Sequence, residues 1–232
     1  YGAVHWVDDA PVPTLEVELH PRSNGKAVCS SCGQCCPGYD RLSVRRFEFI
    51  PLWGIKVFFV YAPRRVNCQV CGVRVERMPW VKGKHQLTEA YAWFLATWSK
   101  RLSWTEVAMA FQTNWDNVFR SVEMAVDWGR MHVNLSDIRS IGIDEVKWQK
   151  GHSYLTLVYQ IDNHNKRLLW VGEKRTIKTL LRFFRWFGKE RSLALRFVCT
   201  DMWKPYLKVI SKKAGAVRPG KVAYFSGWES RT

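Results

Sequence analysis

The spacing of apolar residues changes twice along this chain. Alternating and β-branched or aromatic runs predict strands at residues 15–19, 45–50 and 55–61. Between residues 85 and 133 the apolar positions recur every three or four residues, which predicts helices. Short apolar runs return at residues 141–143, 154–161, 168–171 and 195–199 and predict a second sheet. The pattern therefore predicts a multi-domain α+β protein.

In the second predicted sheet, two strands are each followed by a carboxylate. The run at 141–143 leads into Asp144, and the run at 195–199 leads to Asp201, 57 positions later. If both strands end at the same edge of the sheet, the two carboxylates meet there. Paired carboxylates can hold magnesium against phosphate oxygens, as two-metal phosphoryl transfer requires. Aspartates at strand ends also cap helices and form turns, and this alternative stays open.

Six of the seven cysteines fall between residues 29 and 71. Two Cys-x-x-Cys pairs, separated by 35 residues with a predicted hairpin between them, suit a tetrahedral structural zinc site. The predicted ligands are Cys29, Cys32, Cys68 and Cys71. Either Cys35 or Cys36 is an alternative to Cys32, and a disulfide framework is the competing interpretation. We expect the seventh cysteine, Cys199, to be a core residue.

Three predicted helices follow. Ser103 and Glu106 have the spacing of a capping box and start the second helix, and residues 113–116 open the third. We expect Val118, Val122, Ala125 and Val126 to form the buried side of the third helix. Three helices with a short turn at residues 112–114 predict a helix-turn-helix, although a trihelical linker is the alternative. The side chains then available to a DNA groove are Asn114, Asn117, Arg120 and Ser121.

The charge of the chain indicates a polyanionic partner. Its 232 residues hold 36 basic and 20 acidic residues, a net charge of +16. From residue 171 onward there are 15 basic and 4 acidic residues, which favours nucleic acid over a membrane. Helices predicted after Thr176 and after Asp201 carry basic outer faces, and Lys204 and Lys208 are candidate DNA contacts. Ile177, Leu180, Leu181 and Phe184 are expected to face the sheet.

Several segments together carry a specific family resemblance. IGIDEVKWQKGHSYLTLVYQID, RLLWVG, LRFFRWFG and RFVCTDMWKPYLKVI, in this order, resemble the catalytic domain of DDE transposases from bacterial insertion sequences, specifically the ISL-three family. The resemblance runs from about residue 29 to 216. It implies a ribonuclease-H-like catalytic domain in which Asp144 and Asp201 are the first two metal-binding acids, with magnesium or manganese as cofactor. It also implies a zinc ribbon and a helix-turn-helix before that domain.

These observations divide the chain into three expected parts. Residues 1–83 hold an N-terminal segment and a zinc ribbon, residues 84–136 a helix-turn-helix, and residues 137–232 the first part of the ribonuclease-H-like domain. The expected partner is double-stranded DNA at terminal inverted repeats, and a homo-oligomer on DNA is left open. With no apolar window of about 18 residues and no signal peptide, we expect a cytoplasmic, nucleoid-associated protein without a membrane partner.

The end of the chain departs from the family pattern. Residues 217–232 do not resemble the family continuation, and Glu229 lacks the surrounding motif of a third acid. We therefore expect a C-terminally truncated transposase with an incomplete catalytic site, in which Glu145, Asp162 and Glu173 are structural. The alternative function is a non-catalytic zinc-ribbon and helix-turn-helix DNA-binding protein whose sheet domain is degenerate.

Overall fold

The computed structural model describes residues 2–83, 85–149, 153–162, 165–200, 204–215 and 222–223. The protein is a mixed α/β chain that divides into two compact units, Tyr1–Val133 and Asn134–Thr232. None of the helices in the described ranges offers the length of apolar surface that crossing a membrane requires.

The first unit begins with strands in three small sheets. Strands β1 (Val4–Trp6), β2 (Thr14–Glu18), β6 (Arg45–Leu52) and β7 (Ile55–Tyr61) form a four-stranded sheet in the order β1-β2-β7-β6. Strands β3 (Ala27–Val28) and β4 (Cys35–Cys36) form a two-stranded sheet. Strands β5 (Gly38–Arg41), β8 (Arg64–Cys68) and β9 (Gly72–Val75) form a three-stranded antiparallel sheet. The antiparallel pairing of β6 with β7 confirms the predicted hairpin at residues 45–61. Its alternating apolar and polar residues suit a sheet with one covered face.

Three helices complete the first unit: α1 (Glu89–Trp98), α2 (Trp104–Ala110) and α3 (Trp115–Met131). The predicted capping box at Ser103 and Glu106 is present, with both reciprocal hydrogen bonds formed. The helices pack around a core of Tyr91, Leu95, Val107, Ala108 and Val118. The prediction that Val126 is buried is wrong: it is 52% exposed, because it lies outside the core that Val118 forms with residues of α1 and α2.

The second unit is built on one five-stranded sheet. Strands β10 (Ser140–Lys147), β11 (Tyr154–Asp162) and β12 (Asn165–Glu173) form an antiparallel meander. Strands β13 (Phe197–Thr200) and β14 (Val222–Ala223) then add to the other edge of β10, both parallel to it, in the order β12-β11-β10-β13-β14. This order makes β10 a central strand.

Helices α4 (Ile177–Phe187), α5 (Lys189–Ala194) and α6 (Lys204–Lys213) belong to the second unit. The unit's core joins Ile141, Ile143 and Val158 of the sheet to residues of α4 and α6. Close approach of α4 to the sheet requires Gly172, since a Cβ there would lie 2.7 Å from the Thr179 Cγ2 atom. The prediction that Ile177 faces the sheet is wrong: it is 44% exposed, and Phe183 and Phe187 fill the core instead.

Candidate catalytic, metal and DNA-binding residues

Four thiols of the first unit converge on one point. The Sγ atoms of Cys29, Cys32, Cys68 and Cys71 all lie within 4.8 Å of one another. Four sulfur atoms held about 2.3 Å from one tetrahedral zinc ion are about 3.8 Å apart, so this donor set fits the ion in number, type and spacing. The cluster joins the two Cys-x-x-Cys pairs, as the sequence spacing suggested.

Backbone amides favour thiolates in this cluster. Amide groups of Cys71 and Val70 lower the pKa of the Cys68 thiol to about 6, and those of Cys32 and Ser31 lower the pKa of Cys29. The lowered pKa of the first cysteine of each pair favours the thiolate, which is the form that binds metal. By contrast, a hydrogen bond with Cys32 and burial raise the pKa of Cys71 to about 12, because adjacent thiols cannot all ionise without a cation.

The two remaining cysteines of this region differ in position. Cys36 packs against the four-thiol cluster, and burial raises its pKa to about 11. Cys35 is exposed and lies outside the four-thiol set. Cys32 rather than Cys35 or Cys36 therefore completes the group of four mutually close sulfur atoms.

Asp144 is exposed on the central strand of the second sheet. Its neighbours Ile141 and Ile143 are buried against the helices, so alternation along the strand directs Asp144 to the opposite sheet face. The expectation that Asp144 ends the strand is wrong. Antiparallel pairing with β11 continues the strand to Lys147, and Asp144 itself pairs with Leu157.

The parallel pairing of β10 with β13 relates the positions of the two predicted acids. It ends at the register pair Ile143–Thr200, and Asp144 and Asp201 are the next residues along each strand's direction. Asp201 lies outside the described residues, so its carboxylate has no described position. One Asp144 oxygen, Oδ1, accepts a hydrogen bond from the Glu145 amide at 2.8 Å.

Two other acidic residues of this sheet, Glu145 and Asp162, contact side chains and backbone groups of the same unit. Glu145 Oε1 lies 3.4 Å from Arg175 Nε. Asp162 Oδ2 accepts hydrogen bonds from the Gln160 side chain at 2.8 Å and the Arg139 amide at 3.2 Å. Hydrogen bonds from Gln160 and Ser140 outweigh burial and lower the pKa of Asp162. Both acids are thereby tied to neighbouring elements of the same unit.

The residues predicted to read DNA from α3 occupy different environments. Asn114 is the N-cap of α3, and its Oδ1 accepts a hydrogen bond from the Asn117 amide at 2.7 Å. The Asn117 side chain donates to the Thr113 hydroxyl at 2.9 Å, whereas Arg120 is exposed. Ser121 is only 1% exposed and its hydroxyl donates to the Asn117 carbonyl. This burial argues against the predicted DNA contact of Ser121, because α3 turns that position towards the helical core.

Aromatic residues of α2 and α3 form a cluster that the sequence analysis did not include in the predicted site. Trp115 and Phe119 are both exposed, and their rings stack with centroids 5.4 Å apart and an interplanar angle of 10°. Trp104 packs against both rings. The spacing of Trp115 and Phe119 by four residues was the sequence signal that could have revealed this pair.

Lys204 and Lys208 are exposed along one side of α6. Together with Lys212 and Lys213 they line a groove of about 440 Å³, whose apolar wall includes Ile177 and Leu181 of α4. Lys178, Arg182 and Arg185 of α4 are also exposed. The second unit holds 20 basic and 8 acidic residues, so most of the chain's net positive charge belongs to it.

Sequence comparison shows that the second unit is similar to a class of proteins. Residues 141–219 match a family model described as "Transposase", that of the ISL3 type of DDE transposases. The matched range contains both Asp144 and Asp201.

Curated relatives extend the similarity into the first unit. A transposase for insertion sequence element IS1001 of Bordetella parapertussis is 28% identical over 214 residues, which cover 89% of this chain and 50% of the relative. A transposase for insertion sequence element IS1557 of Mycobacterium tuberculosis is 28% identical over 195 residues, covering 79% of this chain and 41% of the relative. The chain thus spans half or less of the length of these relatives. These matches support the resemblance to the ISL3 family of DDE transposases that the sequence motifs indicated.

Proposed function

We propose that this chain recognises the terminal inverted repeats of a bacterial insertion sequence and contributes to metal-dependent cleavage and transfer of DNA strands. The observation that carries the proposal is the Ile143–Thr200 register pair, because in the sequence each of these residues is followed by an aspartate within the transposase match. The strand order of the second unit, a three-stranded meander followed by two strands parallel to its first, supports a ribonuclease-H-like domain at residues 137–232.

Asp144 and Asp201 are the proposed ligands of magnesium or manganese. Asp144 fits this role, since its carboxylate is exposed and oxygen atoms are the ligands that hard divalent ions prefer. Such ions stabilise the attacking and leaving oxygens of a phosphoryl transfer. Two carboxylates alone hold magnesium weakly because the ion retains several waters. We therefore propose that strand cleavage also requires a third acid, which we do not assign to Glu145 or Asp162, given their structural contacts.

The first unit is the proposed recognition part of the protein. We propose a zinc ribbon within residues 1–83, closed by zinc on Cys29, Cys32, Cys68 and Cys71, where the ion would contribute folding energy. We further propose a helix-turn-helix within residues 84–136. The short turn between α2 and α3, the exposed Arg120 and the half-buried Asn117 support it. Asn114 stabilises α3 as its N-cap residue.

Lys204 and Lys208 are the proposed contacts to the DNA backbone in the second unit. Their exposure beside Lys212 and Lys213 forms a row of ammonium groups, and each group that neutralises a phosphate releases condensed counterions. The remaining proposals are that the protein acts in the bacterial cytoplasm, associated with the nucleoid, and that it assembles on DNA as a homo-oligomer.

Metal-dependent cleavage distinguishes this proposal from a non-catalytic DNA-binding protein. The test uses duplexes ending in the element's inverted repeats, with the 232-residue chain alone and joined to the remainder of a related transposase. We expect both proteins to bind the duplex and the joined protein to nick it with Mg²⁺ or Mn²⁺. Asp144→Asn in the joined protein should abolish nicking and leave DNA binding intact. Binding without nicking in every form would favour the non-catalytic alternative.

A further inference from the structure

Trp53 occupies the tip of the β6–β7 hairpin in an unfavourable backbone conformation. Leu52 and Ile55 are the last register pair of the hairpin, so Trp53 and Gly54 form a two-residue turn. Their φ angles are 49° and 81°, as the type I′ turn requires. Asparagine followed by glycine is the preferred pair in this turn, whereas a residue with a bulky side chain is disfavoured at positive φ. The turn itself therefore gives no reason for tryptophan at this position.

Packing gives no reason for it either. The Trp53 side chain is 97% exposed, so its indole ring gains almost no burial from the fold. Single exposed apolar residues are common on protein surfaces, but Trp53 combines this exposure with a positive φ angle that disfavours a bulky side chain. The conformation and the exposure together indicate that Trp53 is present for a contact outside the chain.

Trp53 borders a cavity of about 250 Å³ that holds other groups suited to a ligand. Gln112, in the turn between α2 and α3, lines the same cavity and is also left-handed, with φ 52°. Trp53 and Gln112 are two of the four non-glycine residues with positive φ in the described part of the chain. Backbone conformations of this kind concentrate at binding sites. The other lining residues are Pro51, Gly54, Lys56, Phe94, Ala110 and Phe111.

The chemistry of the cavity favours a flat, uncharged aromatic ligand. Phe94 and Phe111 form an edge-to-face pair with ring centroids 4.8 Å apart. The Lys56 ammonium is 3.3 Å from the Glu48 carboxylate, so its charge is largely compensated and the cavity is a poor phosphate site. The exposed Gln112 amide supplies one donor and one acceptor group, which suit the polar edge of a base.

We propose that this cavity binds one unpaired nucleobase of DNA, stacked on the Trp53 indole and hydrogen-bonded at its edge by Gln112. The inference rests on the proposed DNA-binding function and adds a specific subsite to it. Stacking on an aromatic side chain tolerates any base, since every base has a π face. The base must be unpaired because a base inside the duplex is covered by its neighbours.

The test compares two duplexes of one sequence, one fully paired and one with a single unpaired 2-aminopurine. Binding of the full chain is measured by fluorescence anisotropy, and stacking by quenching of 2-aminopurine. We expect Trp53→Asn to weaken binding of the unpaired duplex about 5- to 150-fold, the range for loss of one base–aromatic stack. Binding of the paired duplex should change less than about twofold, since no stack is lost there.

Three controls separate the contact from folding. Asparagine suits the turn, so Trp53→Asn should unfold at the same temperature as the wild type or higher. Trp53→Phe should retain most of the preference for the unpaired duplex. Trp6→Ala, which removes another exposed tryptophan of the same unit, should leave the preference unchanged.

The possible outcomes lead to different conclusions. A selective loss of affinity and quenching in Trp53→Asn supports the subsite. Equal binding of the two duplexes by the wild type, or unchanged preference in Trp53→Asn, overturns the subsite and leaves the proposed function standing. An absence of binding to either duplex overturns both. Preference for a protein bearing an exposed aromatic side chain over the unpaired duplex would assign the cavity to a protein partner and overturn the nucleobase proposal.

Discussion

Ile143 of β10 and Thr200 of β13 form the last register pair of a parallel pairing, and an aspartate follows each of them. Asp144 is described and exposed, whereas Asp201 lies outside the described residues. We predict that Asp144→Asn weakens Mn²⁺ binding at least about tenfold, because the charged oxygen ligand is lost and little volume changes. Isothermal titration of Mn²⁺ into the isolated chain measures this effect.

A matched control for that prediction is Asp162→Asn. Asp162 lies in the same sheet but accepts hydrogen bonds from Gln160 and Arg139. This variant should lose some stability and keep its Mn²⁺ affinity. Equal loss of Mn²⁺ binding in both variants would contradict the assignment of Asp144 as a ligand.

The four-thiol cluster predicts one zinc ion per chain. Replacing Cys68 and Cys71 with serine should remove the ion, because two thiolates remain where structural zinc requires four ligands. Native mass spectrometry measures the bound zinc. Cys199→Ser, which alters a buried cysteine of the other unit, should retain it. Zinc retained by the Cys68 and Cys71 double variant would show that the cluster is not the site.

The environment of Glu76 indicates that the stability of the first unit decreases at low pH. Its carboxylate is 5% exposed and accepts hydrogen bonds from the Tyr61 hydroxyl at 2.6 Å and from Arg64 Nε at 2.8 Å. Burial alone would raise the pKa of Glu76, but the hydrogen bonds from Arg64 and Tyr61 outweigh it and lower that pKa. A lowered folded-state pKa contributes stability above the unfolded-state value, and this stability is lost as pH falls through the folded-state value.

We therefore expect the first unit to lose stability below about pH 4.5. Glu76→Gln should flatten this dependence and reduce the free energy of unfolding at pH 7 by about 2 kcal/mol, since the half-buried Arg64 guanidinium loses its charged hydrogen-bond acceptor. Urea unfolding between pH 3 and pH 7, monitored in wild type and variant, gives both quantities. A pH dependence as steep in Glu76→Gln as in the wild type would rule out Glu76 as its source.

Two residues of α3 separate DNA binding from helix stability. Arg120→Ala should weaken duplex binding with little change in melting temperature, because the side chain is exposed. Asn114→Ala should cost about 1 kcal/mol of stability, because it removes the N-cap hydrogen bond to the Asn117 amide. Gel-shift titration and thermal unfolding of each variant test the distinction. Normal DNA affinity in Arg120→Ala would argue against α3 as the reading helix.

If the lysines of α6 contact DNA phosphates, they contribute to the salt dependence of DNA affinity. Lys204→Gln combined with Lys208→Gln should make the slope of log affinity against log salt less negative by about 1.8, or about 0.9 for each lost phosphate contact. Lys26→Gln combined with Lys82→Gln changes the net charge equally at exposed positions of the other unit. Anisotropy titrations between 50 and 300 mM salt compare the two. Identical slopes for both double variants would indicate a general charge effect.

Local patterns in the sequence determined many of the elements. The hairpin of β6 and β7 and the strand β11 were predicted within two residues of their observed ends, because alternating side chains match a sheet with one covered face. The capping box at Ser103 and the start of a helix at Thr176 were also predicted, since a helix start depends on hydrogen bonds to residues only three positions away. The paired cysteines were similarly informative, because each pair fits on one tight turn.

Only the tertiary structure decided what covers each surface. α3 carries one apolar stripe in the sequence, yet Val118 is buried in a core with residues of α1 and α2, whereas Val126 lies outside that core and is exposed. The strand β10 continues past Asp144 because that residue pairs with Leu157 of β11. The exposure of Trp53 and its place beside Gln112 likewise depend on a hairpin and a helical turn meeting in space. Local sequence encodes hydrogen bonds and periodicity, whereas burial depends on neighbours that lie far away in the chain.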